Sequence, residues 1–317
     1  MEEVSEEIVE EQLKGKTPKV GRSLWADAYH RLRRDKVAVV CFAVIVLYVI
    51  IAIISSFLFP NWAENYDYEH ANLPPSWEHP LGTDDFGRSV LQETMLGART
   101  SLTVGVMANI ISVPLGMLLG AIAGYYGRFI DDFIVWLYTT LASVPGIIRL
   151  IAIKFAFQDV VLFANTPFEM DLGGGMSGIY IALGVMSWVG TCRLVRAEVM
   201  KIRELDYVLA AQAIGTRRIV ILFRHIMPNL LHIGIIQFSL GMVGAITAEV
   251  ILSYLGLGVG TGVPSWGVMI SAARMDLVVG RWWELSSAVG AMFIIILALN
   301  IFGDRLRDAL DPRLRTA

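Results

Sequence analysis

The chain has 317 residues, of which 55% are hydrophobic and 17% charged, and a mean hydropathy of +0.59. A soluble domain carries about 25% charged residues, so the apolar excess points to a bilayer. A net charge of −3 leaves no basic footprint for nucleic acid as a main partner. The two cysteines, Cys41 and Cys192, lie in apolar stretches; they read as packed hydrophobes, not as a disulfide framework or a metal site.

Residues 1–36 open with an acidic run from Glu2 to Glu11 and continue with mixed charges. No short apolar segment with a cleavage pattern is present, so this stretch reads as a solvated tail and not a secretory signal. A helix crossing about 30 Å of hydrocarbon needs about 20 largely apolar residues. Six segments qualify in chain order: Val37–Phe59, Ser101–Tyr125 with Pro114 inside it, Phe133 to about Phe157 with Arg149 and Lys154, Gly173–Cys192, Met227–Ala248, and Leu285–Gly303. Backbone groups in lipid must be paired within the segment, and none of the six alternates like a membrane strand. The predicted fold is an all-α polytopic membrane protein with six transmembrane helices. Residues 37–303 form the membrane domain, with a loop at 193–228 and a tail at 304–317.

Six spans place both tails on one side, and Lys and Arg decide which. Twenty of these residues fall on the tail side, in the two tails, at Arg128 and in the 193–228 loop; Arg88, Arg99, Arg274 and Arg281 fall on the other. Both tails are therefore expected in the cytoplasm. Within the membrane core, Gly116, Gly120 and Gly124 make a small-residue face for close helix packing.

The 193–228 loop carries the most information. From Arg196 to Gly215 apolar and charged residues alternate at helical spacing, and the helix is expected to stop at Gly215. A basic stretch follows, and Pro228 fits the first turn of the next helix. Ala210, Ala211, Ala213 and Gly215 would allow another protein's surface to approach closely.

This segment, Tyr207-Val-Leu-Ala-Ala-Gln-Ala-Ile-Gly215 followed by His225-Ile-Met-Pro-Asn229, resembles the EAA loop of ATP-binding-cassette importer permeases. Ala210, Ala211, Gly215 and Pro228 keep the family spacing, while Leu209, His225 and Met227 stand where the family has Glu, Ile and Leu. His79-Pro-Leu-Gly-Thr-Asp-Asp-Phe-Gly-Arg88, the stretch Glu249–Gly258 with Pro264-Ser-Trp-Gly267, and Phe302–Arg313 are similar to the second permease of dipeptide, oligopeptide and nickel importers. The likeness covers about residues 25–315; residues 149–177 are unlike the usual connection.

The resemblance implies the type I importer permease fold, in a prokaryotic cytoplasmic membrane. It also implies four kinds of partner: a second homologous permease, two ATPase subunits, an extracytoplasmic binding protein and the lipid bilayer. Tyr207, Leu209, Ala210, Ala211, Gln212, Ala213, Gly215, Thr216 and Pro228 would form the loop that couples to the ATPase. The substrate class it implies is peptides, with nickel chelates and oligosaccharides as alternatives. ATP and Mg²⁺ would be bound by the partner ATPases, and no cofactor by this chain.

Other residues are weighed on their own chemistry. Arg149 is either a pathway contact or a side chain paired with a carboxylate or carbonyl, and Lys154 is expected to snorkel. Glu249 either lines a pathway or pairs structurally. His79 has no second ligand at metal spacing. Gly15-Lys16-Thr17 lacks the earlier glycine of a nucleotide-binding loop, since position 10 is Glu. Without a nucleophile–base motif, a membrane enzyme is disfavoured, and an ion-coupled transporter acting alone is the other competing class.

Overall fold

The computed structural model describes residues 24–157, 160–162, 170–171, 176–260 and 262–310; most of the two tails, and the start expected for the fourth span, lie outside them. Among the described residues the long elements are all helices; the loop at 59–89 is irregular with short 3-10 turns at Trp62–Glu64 and Tyr68–His70, and two two-residue strands, β1 (Val161–Leu162) and β2 (Met170–Asp171), pair antiparallel with Val161 opposite Asp171.

A short basic helix, α1 (Leu24–Arg34), ends in Arg31, Arg33 and Arg34. Asp35 then caps α2 (Lys36–Leu58): its Oδ1 accepts from the backbone N–H of Val37 at 2.9 Å and of Ala38 at 3.3 Å, satisfying amides that a helix start leaves open. Most of α2 presents bare aliphatic side chains, among them Val40, Leu47 and Ile53, as a lipid-facing helix must.

Among the described residues five helices are long and apolar enough to cross a membrane: α2, α3 (Val90–Tyr126), α6 (Met176–Ile202), α8 (Arg218–Tyr254) and α10 (Trp283–Leu310). Between α3 and α6 the pair α4 (Arg128–Ser143) and α5 (Gly146–Ala156) is bent by 96° and makes a sixth span only if taken together. The single straight span expected from Phe133 to Phe157 is thus broken. The cause is Pro145: its ring keeps the preceding residue out of the helical region, and Val144 is extended at φ −91°, ψ 131°. Two shorter helices complete the set among the described residues, α7 (Asp206–Ala213) and α9 (Trp266–Val278).

α3 begins eleven residues before the expected Ser101, and at 1.5 Å per residue its length is about 55 Å. It therefore projects well past the hydrocarbon at the end away from the basic loops. α8 likewise starts before Met227. It is one helix from Arg218, with a π turn over Ile221–Ile226. Pro228 has no N–H to give and crowds the carbonyl four residues back, and the wider turn ahead of it absorbs the mismatch.

The seam of the bundle is α3 against α6. A methyl group at Gly120 would sit 2.6 Å from the Cys192 carbonyl oxygen, and one at Gly124 2.7 Å from that of Arg196, so the glycine face buys backbone-to-backbone approach inside this chain. Cys192 is fully buried there. At the end opposite the basic loops, Trp266 Nε1 donates to the Thr94 carbonyl at 3.1 Å and Trp283 Nε1 to the Thr83 carbonyl at 3.0 Å. These bonds tie the starts of α9 and α10 to the start of α3 and the loop before it.

Candidate coupling site

The expected helix from Arg196 to Gly215 is two helices. α6 runs to Ile202, the chain turns through Arg203–Leu205, and α7 starts at Asp206 with Leu205 extended at ψ 145°. The turn is held from above, because Arg203 Nη1 donates to the Gly124 carbonyl at the end of α3 at 3.1 Å.

α7 is short, and its position comes from two buried side chains. Val208 is fully buried and Ala211 nearly so, packed with Tyr125, Val199, Ile202, Leu222 and Ile226. An eight-residue helix is not stable by itself; burial of this stripe, at about 25 cal/mol per Å², fixes it under the bundle. Asn229 Nδ2 adds a bond to the Tyr207 hydroxyl at 3.0 Å.

The helix ends as predicted. Thr216 N–H reaches the Ala211 carbonyl at 3.1 Å, Gly215 N–H reaches the Gln212 carbonyl at 3.0 Å, and Gly215 has φ +80°. This is the Schellman closure, which requires a left-handed residue at that position.

What the elbow then offers to solvent is a small apolar prominence. Tyr207, Leu209, Ala210, Gln212, Ala213, Gly215 and Pro228 are exposed and Thr216 is half-buried, whereas Ala211 faces the bundle. The most projecting side chain is Ile214, 82% exposed at the helix C-cap. Reading the motif spacing passes over it, although a bulky aliphatic next to a helix-ending glycine is a visible signal. Arg217 and Arg218 flank the prominence. Behind it, a cleft of about 430 Å³ lies between α3 and α7, lined by residues including Tyr126, Arg203, Gln212 and Arg218.

The other sequence candidates sit elsewhere. Glu249, near the far end of α8, is fully buried and accepts from Ser101 Oγ at 3.2 Å and Ser253 Oγ at 2.8 Å. Arg149 on α5 donates through Nη1 to the Leu141 carbonyl, while its buried Nε has no partner among the described residues. Lys154 is 9% exposed, so it does not snorkel to the surface. The His79–Arg88 segment folds on itself. The Asp84 carboxylate accepts from Arg88 Nε at 2.7 Å and from the N–H groups of Phe86 and Arg88, and the guanidinium lies 4.1 Å from the centre of the Trp62 ring. His79 takes part in no group that could hold a metal among the described residues.

A bundle of candidate spans with an exposed elbow between two of them defines a polytopic membrane protein. The chain belongs to the family of binding-protein-dependent transport system inner membrane components, whose pattern matches residues 116–316; residues 23–75 match the N-terminal transmembrane domain of oligopeptide transport permease C. It is 36% identical over 289 residues to the dipeptide transport system permease protein DppC of Bacillus subtilis, covering 91% of this chain and 86% of that one. It is 35% identical to the oligopeptide transport system permease protein OppC of the same organism, covering 95% and 93%. It is 34% identical to the glutathione transport system permease protein GsiD of Pectobacterium atrosepticum, covering 93% of each chain. The protein is thus a multi-pass membrane permease subunit and not an ATPase.

Proposed function

We propose that this permease subunit forms, with a second homologous permease, the path by which short peptides delivered by an extracytoplasmic binding protein cross the cytoplasmic membrane. ATP is hydrolysed by two separate ATPase subunits, one of which is seated on the elbow at Tyr207–Thr216. The observation that carries the reading is the contrast along α7 and its cap: Val208 and Ala211 are locked into the bundle, while Ala213 and Ile214 are exposed, with no described residue burying Ile214. A lever must be fixed at one face and free at the other. Motion imposed on the prominence passes through Val208 to α6 and α8 and through Arg203 to the end of α3. The peptide class is supported by the names of relatives that cover nearly the whole chain. The excess of Lys and Arg in the 193–228 loop and both tails supports a cytoplasmic position for the elbow.

The test is reconstitution of both permeases in vesicles with the binding protein, with and without the ATPase pair. Peptide uptake should require ATP and the ATPase pair together. Uptake that continues when the ATPases are omitted would favour an ion-coupled carrier and remove this reading.

A further inference from the structure

At the end of the bundle away from the elbow, a cavity of about 510 Å³ opens between the end of α2, the start of α3, the start of α6 and the loop before α9. Its volume falls within the range of about 300–1,000 Å³ usual for small-molecule sites. The wall is mixed: Phe59, Trp62 and Tyr180 supply aromatic surface, Ser56 and Thr103 supply hydroxyls, and Arg99 is the one charged residue among the described residues that line it.

The donors and acceptors of this wall are unequally spent. Ser56 Oγ already donates to the Ala52 carbonyl at 3.2 Å, and Thr103 Oγ1 to the Arg99 carbonyl at 2.7 Å. Both hydroxyls therefore face a ligand as acceptors. Arg99 is exposed and has no ion pair among the described residues. The buried Trp62 Nε1 in the same wall also lacks an acceptor among the described residues. Among the described residues no carboxylate lines the cavity to neutralise the guanidinium. A concave site with an unspent forked cation, aromatic walls and acceptor hydroxyls suits a ligand carrying a planar carboxylate, apolar side chains and backbone N–H groups.

We propose that this cavity receives the peptide on its way from the binding protein into the path, and that Arg99 holds its C-terminal carboxylate. The proposal rests on the peptide-importer reading and adds to it a residue that discriminates substrates within the permease itself. The cavity's position fits the role. It sits at the projecting end of α3, with Arg99 nine residues into a 37-residue helix, where an arriving ligand meets the bundle before any constriction deeper in the membrane. An acidic side chain of the binding protein could pair with the same guanidinium on a flat surface, but a recess of this size walled by three aromatic residues favours the small ligand.

The experiment uses the whole importer in vesicles with saturating binding protein. The probe is a casein digest, half of it converted to C-terminal amides, with imported peptides measured by mass spectrometry. Arg99→Gln should lower uptake of free-acid peptides by roughly tenfold or more, as loss of a charge-assisted pair does. Uptake of the amides should be unchanged, and Arg99→Lys should recover part of the loss. Three results would overturn the proposal: equal free-acid uptake by wild type and Arg99→Gln, an equal loss for acids and amides, or weaker sedimentation of the binding protein with Arg99→Gln vesicles. The last would make Arg99 a docking residue for the binding protein. A wild-type importer that takes up no peptide with ATP sinks the peptide reading as well; a normal wild type with a normal Arg99→Gln sinks the carboxylate site alone.

Discussion

Ser101 Oγ donates a hydrogen bond to the Glu249 carboxylate across 148 residues of sequence, joining α3 to α8 at the end of the bundle that holds the Arg99 cavity. Ser253, one turn further along α8, binds the other carboxylate oxygen. Glu249 is thus held inside the bundle, with no side-chain area open to a passing ligand in this chain. Glu249→Ala should strand these hydroxyls and that of Ser265, a third partner of the carboxylate, and cost about 1–3 kcal/mol, read as a lower unfolding temperature of the detergent-solubilised protein. Glu249→Gln keeps an acceptor and should stay within about 1 kcal/mol of wild type, with transport unaffected. A Gln variant of normal stability that fails to transport would instead make the carboxylate part of the path.

Gly215 separates backbone strain from docking. A Cβ there meets no described atom within 4 Å, so at that atom the fold resists it only through φ +80°, a cost of about 1–2 kcal/mol for a residue with a Cβ. Gly215→Ala and Gly215→Trp share that strain and differ in bulk. Both should insert and fold; Ala should retain most of the transport-coupled ATPase activity and Trp should lose it. Equal activity of the two would remove the elbow as the ATPase seat.

The α3–α6 seam predicts the opposite pattern. Gly120 has no room: a methyl would press on the Cys192 carbonyl at 2.6 Å and on Val195 Cβ at 3.0 Å. Gly120→Val should cost about 1–3 kcal/mol by overpacking. The loss should appear as reduced yield of folded protein and a lowered unfolding temperature, before any assay of transport. Gly190, on the same helix pair, has nothing within 4 Å, and Gly190→Ala should leave both unchanged.

These contrasts mark what the sequence reveals and what it withholds. The spans, the small-residue face and the stop at Gly215 are legible, because hydropathy, glycine spacing and a left-handed helix cap each leave a local trace. The break at Val144–Pro145 has a local trace too, but a proline inside an apolar run is compatible with both a kinked span and a broken one, and only packing decides. The turn at Arg203–Leu205 has no proline or glycine; it exists because Val208 and Ala211 find more burial beneath α3 and α8 than a straight extension of α6 would give them. The roles of Glu249 and Arg149 depend on partners far off in sequence or on a carbonyl across a helix break, which no spacing rule encodes. The Arg99 cavity is of the same kind, assembled from four separate segments.

The orientation of the bundle can be checked with cysteines, provided that the sites are chosen from exposure and not from loop membership. Asp84 lies in the loop opposite the elbow, yet it is 5% exposed and holds Arg88, so a thiol there would be hidden and would undo the loop. Trp77 in the same loop is fully exposed, and Ile214 is 82% exposed on the elbow. The native Cys41 and Cys192 are both buried and give little background. With an impermeant thiol reagent on intact cells, Trp77→Cys should label at once, and Ile214→Cys only after permeabilisation. The order follows from the bias of Lys and Arg toward the elbow side. Labelling of Ile214→Cys from outside would put the elbow beyond the reach of any cytoplasmic ATPase.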